Sequence, residues 1–91
     1  MKDMVLYRSP LLIEGIDFHW KNLIQGTFAK FGKEINIQFI RSKNLNQGNC
    51  QKFIQLWKKD LKKRKLTLVS STPISQAWRH ICEKMQIKIY E

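Results

Sequence analysis

Residues Ile35-Asn36-Ile37-Gln38-Phe39 alternate strictly between apolar and polar side chains. A period of two puts Ile35, Ile37 and Phe39 on one side of a strand and leaves the other side polar. Downstream the period changes. Cys50, Phe53, Ile54, Trp57 and Leu61 recur at three- and four-residue intervals, and so do Ile74, Ala77, Trp78, Ile81, Cys82 and Met85. That spacing is the apolar stripe of an amphipathic helix. Leu66-Thr67-Leu68-Val69 and Ile87-Lys88-Ile89-Tyr90 are short apolar segments of strand type. Strands that alternate with helices build an α/β sheet joined by right-handed crossovers.

Upstream, Trp20, Leu23, Ile24, Phe28 and Phe31 are also spaced for a helix. Asp17 is placed to cap it and Gly32 to stop it. Met4 to Tyr7 and Ser9 to Glu14 read as one or two strands, bent at Arg8-Ser9-Pro10. The second helix runs from Asn49 to about Arg64, and a third starts with Thr72 as cap and Pro73 in its first position. The resulting order, β(β)-α-β-α-β-α-β, predicts a single domain over residues 1–91. It is a small α/β domain with a mixed, mostly parallel sheet of four to five strands and helices mainly on one face. Trp20, Trp57, Trp78, Phe28, Phe31 and Phe53 keep phase with apolar neighbours and are expected in the core.

Charge bounds the partners. Seventeen Lys and Arg against seven Asp and Glu leave a net charge of +10, which draws the chain toward nucleic acid, acidic proteins or anionic membrane surfaces. No apolar run reaches the roughly 20 residues that cross a bilayer, and the N-terminus lacks the pattern of a secretory signal. A cytoplasmic location is expected, with free thiols at Cys50 and Cys82 acting as small apolar side chains. His80 and Cys82 stand two apart on a helix and face different ways, so no zinc-ligand spacing arises. No nucleophile, base and orienting group can be assembled from the few acidic residues and the two histidines. The chain is expected to be neither an enzyme nor a carrier of a metal or cofactor.

The register of all these elements together resembles the STAS domain, the fold of bacterial anti-sigma factor antagonists and of the small STAS subunit of Mla-type phospholipid-transport ABC complexes. The strand and turn Leu11-Leu12-Ile13-Glu14-Gly15-Ile16-Asp17 correspond to that family's opening strand, Gly and Asp. The loop at which the family carries Asp-Ser-Ser-Gly or Asp-Thr-Gly-Gly falls on Asn46-Gln47-Gly48-Asn49. Asn46 takes the place of the usual Asp, and neither Gln47 nor Gly48 offers a hydroxyl. A phosphate there would add about two negative charges at a helix N-terminus, so the substitution suits a constitutive docking subunit. The resemblance implies a non-enzymatic interaction protein that docks through Asn46, Gln47, Gly48, Asn49 and Lys52. Its implied partner is the cytoplasmic ATPase of a phospholipid transporter, at the inner face of the inner membrane, or an anti-sigma factor.

Lys58, Lys59, Lys62, Lys63, Arg64 and Lys65 supply six basic residues in eight. They read either as a solvated helix end, where cations complement the dipole, or as a docking patch for phosphate, acidic protein or lipid headgroups. The second reading supplies the alternative function, a basic nucleic-acid-binding α/β domain, with peripheral contact to an anionic membrane as a further use of the same charge.

Overall fold

The computed structural model describes residues 3–8, 15–43, 48–71 and 75–90. Four antiparallel strands come first: β1 (Met4–Arg8), β2 (Ile16–Trp20), β3 (Ile24–Phe31) and β4 (Glu34–Ser42). Helix α1 (Asn49–Lys63) then crosses over to β5 (Thr67–Ser71), which lies parallel to β4. Helix α2 (Gln76–Met85) crosses over to β6 (Lys88–Tyr90), parallel to β5. The six strands form one sheet in sequential order. The α/β class therefore stands. The expected four to five strands, mostly parallel, are corrected to six among the described residues, mostly antiparallel.

The correction has one source. Residues expected as a first helix, from Asp17 to Phe31, form the hairpin of β2 and β3. Ile16, Phe18 and Trp20 alternate into the core, as do Ile24 and Phe28 across the turn, so a period of two coexisted with the helical spacing. Lys21 and Asn22 both take positive φ, 53° and 57°, and the Leu23 N–H closes the turn on the Trp20 carbonyl at 2.9 Å. Two consecutive left-handed residues match the twist of a hairpin. Asp17 caps no helix; its carboxylate accepts a hydrogen bond from the Thr27 hydroxyl at 2.6 Å across the strands. Gly32 (φ 61°) sits in the turn between β3 and β4, and Phe31 is 52% exposed rather than in the core. Ser75, not Thr72, caps α2, its hydroxyl accepting the Trp78 N–H at 3.1 Å. Thr72, Pro73 and Ile74 lie outside the described residues, as does the strand expected between Ser9 and Glu14.

Both helices pack on one face of the sheet. Phe53, Ile54, Trp57 and Leu61 of α1 and Trp78 and Cys82 of α2 join Phe18, Trp20, Ile24, Phe28, Ile35, Ile37 and Leu68 in a single core. Phe18 lies 5.6 Å from Phe53 and 5.1 Å from Trp57, ring centre to ring centre, and Phe28 meets Trp57 edge-on at 5.3 Å. Such pairs add about 0.5–1.5 kcal/mol each beyond the area they bury. Among the described residues no element covers the other face, where Val5, Tyr7, Phe31, Phe39 and Tyr90 are exposed.

One irregularity shapes the middle of the sheet. Thr27 pairs with Phe39 but Phe28 pairs with Ile37, which leaves Gln38 as a bulge. A bulge bends its strand. Among the described residues the last parallel pair between β4 and β5 is Ile37 with Ser70, while β4 stays paired with β3 as far as Ser42. Gly26, opposite Ile40, makes this course sterically feasible. A Cβ on Gly26 would meet the Phe39 carbonyl oxygen and come within 2.8 Å of the Phe18 ring. Gly26→Ala is expected to destabilise the fold by about 1–3 kcal/mol or more, read as a lower midpoint in urea with an unchanged slope. A wild-type midpoint would show that β3 and β4 are farther apart than described.

Candidate functional site

Past the last described pair of β4 and β5, a cavity lies beside the helix N-termini. An open cavity of about 130 Å³ is lined by Gln38, Phe39, Ile40, Ser70, Ser75 and Trp78, among others. A larger groove of about 300 Å³ shares Ile40, Ser75 and Trp78 with it and extends past Cys50, Gln51, Ala77, His80 and Ile81. The two run from the start of α1, along the first turns of α2, to the edge of β4. Outside the carboxyl ends of parallel strands is where open α/β sheets bind ligands.

The wall of this groove is fixed by a buried polar relay. Trp78 donates its indole N–H to the Ser70 hydroxyl at 2.8 Å, and Ser70, fully buried, is placed to donate to the Ile37 carbonyl at 3.4 Å or to its neighbour Ser71 at 3.3 Å. Trp78 therefore ties α2 to the last residues at which β4 and β5 pair. Opposite it, α1 begins at Gly48, whose φ of 70° is left-handed and costs little without a Cβ. Among the described residues no side chain caps this end, and its first turn holds no acid. The Lys52 N–H bonds the Gly48 carbonyl at 3.1 Å; the backbone N–H groups just before it point out of the helix without intrahelical acceptors. They carry the positive end of the helix dipole.

Of the residues expected to dock a partner, Asn46 and Gln47 lie outside the described residues. Gly48 caps α1, Asn49 is its first residue and half-buried, and Lys52 is exposed one turn on. The basic segment sits at the other end of α1, roughly 20 Å away at 1.5 Å per residue, and its members divide. Lys58 reaches across to α2 and donates to the Met85 carbonyl at 2.6 Å, satisfying a helix C-terminus. Arg64 pairs with Asp60 at 3.5 Å. Lys65 takes a left-handed φ of 59° in the turn that ends α1, with the Leu66 N–H on the Leu61 carbonyl. Lys59, Lys62 and Lys63 are exposed.

The groove itself was missed by sequence reasoning. Its signals were a bulge and an early end to strand pairing, neither of which has a residue signature here. Cys50 and Cys82 are both free and buried. Burial pushes the Cys50 thiol up to about 11; burial first, then the neighbouring Cys50, pushes Cys82 to about 12. Among the described residues no cluster of His, Cys, Asp or Glu could hold a metal ion, and no helix is long and apolar enough to cross a membrane. Comparison with family models, curated proteins and solved structures returned no match.

Two outcomes follow from these placements. Lys58→Ala removes a charge-assisted bond and is expected to cost about 1.5–3 kcal/mol; Lys59→Ala should stay within about 0.5 kcal/mol of wild type. Equal effects in a denaturant titration would mean that Lys58 is only part of a solvated patch. The raised thiol values mean that the folded state holds the protons more tightly. Their stabilising contribution is complete below pH 9 and is lost as the pH rises toward 11 to 12. A Cys50→Ala, Cys82→Ala double variant should lose less stability than wild type between pH 9 and 11.

Proposed function

We propose that this chain binds a phosphate-bearing small molecule with a slender, amide-bearing arm, the chemical class to which coenzyme A belongs. The observation that carries the reading is the cavity beside β4, lined by Gln38, Phe39 and Ile40 just past the last described pair of β4 and β5, Ile37 with Ser70. The start of α1, which no described side chain caps, supplies N–H groups and dipole for phosphate, and the net charge of +10 favours an anionic ligand. Trp78, Ile81 and Ile40 give the groove apolar lining for the arm.

A protein partner docking at Gly48, Asn49 and Lys52, in the manner implied by the STAS resemblance, is the second reading. It draws on the same helix end. Nucleic-acid binding through the exposed lysines of α1 would instead show a steep salt dependence, with a log–log slope of about −0.9 per neutralised phosphate on duplex DNA.

Calorimetric titration separates ligand from docking. Coenzyme A is expected to bind about tenfold more tightly than ADP, because ADP lacks the arm. Ala77→Phe, on an exposed groove position, should weaken coenzyme A by a similar factor and leave the melting temperature unchanged. Absence of binding, or equal binding of ADP and coenzyme A that ignores Ala77→Phe, would overturn the reading and favour the docking alternative.

A further inference from the structure

The face of the sheet opposite the helices carries a second depression, independent of the groove. His19 pairs with Gln25, and Gln25 with Arg41, in the antiparallel registers of β2, β3 and β4. Their sequence neighbours Phe18, Trp20 and Ile24 are buried in the core, so the three side chains stand in one cross-strand row on the opposite face, with strands about 4.8 Å apart. Lys43 follows beyond the end of β4, anchored by its N–H on the Leu23 carbonyl at 2.8 Å. Together with Asn22 and Leu23 these residues line an open depression of about 270 Å³.

Its chemistry is one-sided. The polar lining is an imidazole, two amides, a guanidinium and an ammonium, and among the described residues no carboxylate lines it. The acid nearest in register is Asp17, one row away, which already accepts a hydrogen bond from Thr27. Among the described residues neither Arg41 nor Lys43 has an ion-pair partner. The Nδ1 atom of His19 is buried without a hydrogen-bond partner. The Arg41 guanidinium lies 5.6 Å from the centre of the Phe39 ring, a contact that orients its planar fork. Leu23 and Ile24 add an apolar part to the lining.

We infer that this depression binds a small organic carboxylate. The Arg41 fork takes the carboxylate in a bidentate pair, the geometry for which a guanidinium is built. Lys43 adds charge, the Gln25 and Asn22 amides bond polar substituents, and Leu23 packs on the apolar body. The volume is near the lower limit of small-molecule sites, about 300 Å³, so the ligand is a single small acid rather than a peptide or nucleotide. Arg41 and Lys43 flank Ser42, which lines the groove on the helical face, so the two sites occupy opposite sides of β4.

Amide NMR of the whole chain, titrated at constant ionic strength with acetate, butyrate, benzoate and inorganic phosphate, tests this. Saturable shifts are expected at His19, Gln25, Arg41 and Lys43, with butyrate or benzoate tighter than acetate. Arg41→Gln should weaken binding about tenfold without lowering the melting temperature, and Lys43→Gln should weaken it less. The inference is overturned by absence of saturation at these residues, by phosphate binding there more tightly than any carboxylate, or by variants that bind as wild type. Carboxylate shifts confined to residues 49–52 and Trp78 would report the groove of the preceding section and equally overturn it.

Discussion

The stacking of Phe18 and Phe28 against Phe53 and Trp57 is the contact on which the remaining structure rests. A meander of four strands has an apolar face that it cannot cover by itself. Helix α1 covers it, and the same packing fixes where the chain returns to the sheet. Once α1 lies across β2, β3 and β4, its short exit turn leaves β5 beside β4 and parallel to it, because the crossover must be right-handed. Helix α2 repeats the step. The aromatic cluster thus turns an antiparallel hairpin array into a mixed sheet, and creates the boundary between β4 and β5 beside which the cavity lies.

The cavity and the basic character of the chain act together. A net charge of +10 opposes compaction, and several cations are absorbed by contacts rather than left as a uniform field. Lys58 closes the end of α2, Arg64 pairs with Asp60, Lys21 lies over Trp20, and Lys88 over Tyr90. The two sides of β4 keep distinct electrostatic features: a helix start without a described side-chain cap on one face and the Arg41 and Lys43 pair on the other. Arg41 and Ser42 divide between them because successive side chains of a strand point to opposite faces.

The STAS resemblance rested on the joint register of strands and helices, and part of that register is a hairpin here. Docking through Gly48, Asn49 and Lys52 stays a proposal that depends on the same end of α1 as the ligand groove. The lysine run, weighed as a single patch in the sequence, divides in three dimensions into one structural cation, one paired arginine, a lysine in the exit turn and three solvated lysines.

Local chemistry alone determined α1, β5, α2 and β6, together with the burial of Trp57, Trp78 and Phe53. Their periodicities are unmixed, and each apolar stripe needs a surface to cover. Residues 16–31 were not decided locally. Ile16, Phe18 and Trp20 alternate, while Trp20, Leu23, Ile24 and Phe28 repeat at helical spacing, and short apolar runs satisfy both periods. Pairing with β1 on one side and β4 on the other selected the strands, since hydrogen bonds to neighbours distant in sequence outweigh a weak local preference. The bulge at Gln38, the cavity beyond Ile37 and the row of His19, Gln25 and Arg41 are products of register. Register is a relation between strands, so no single stretch of sequence contains it.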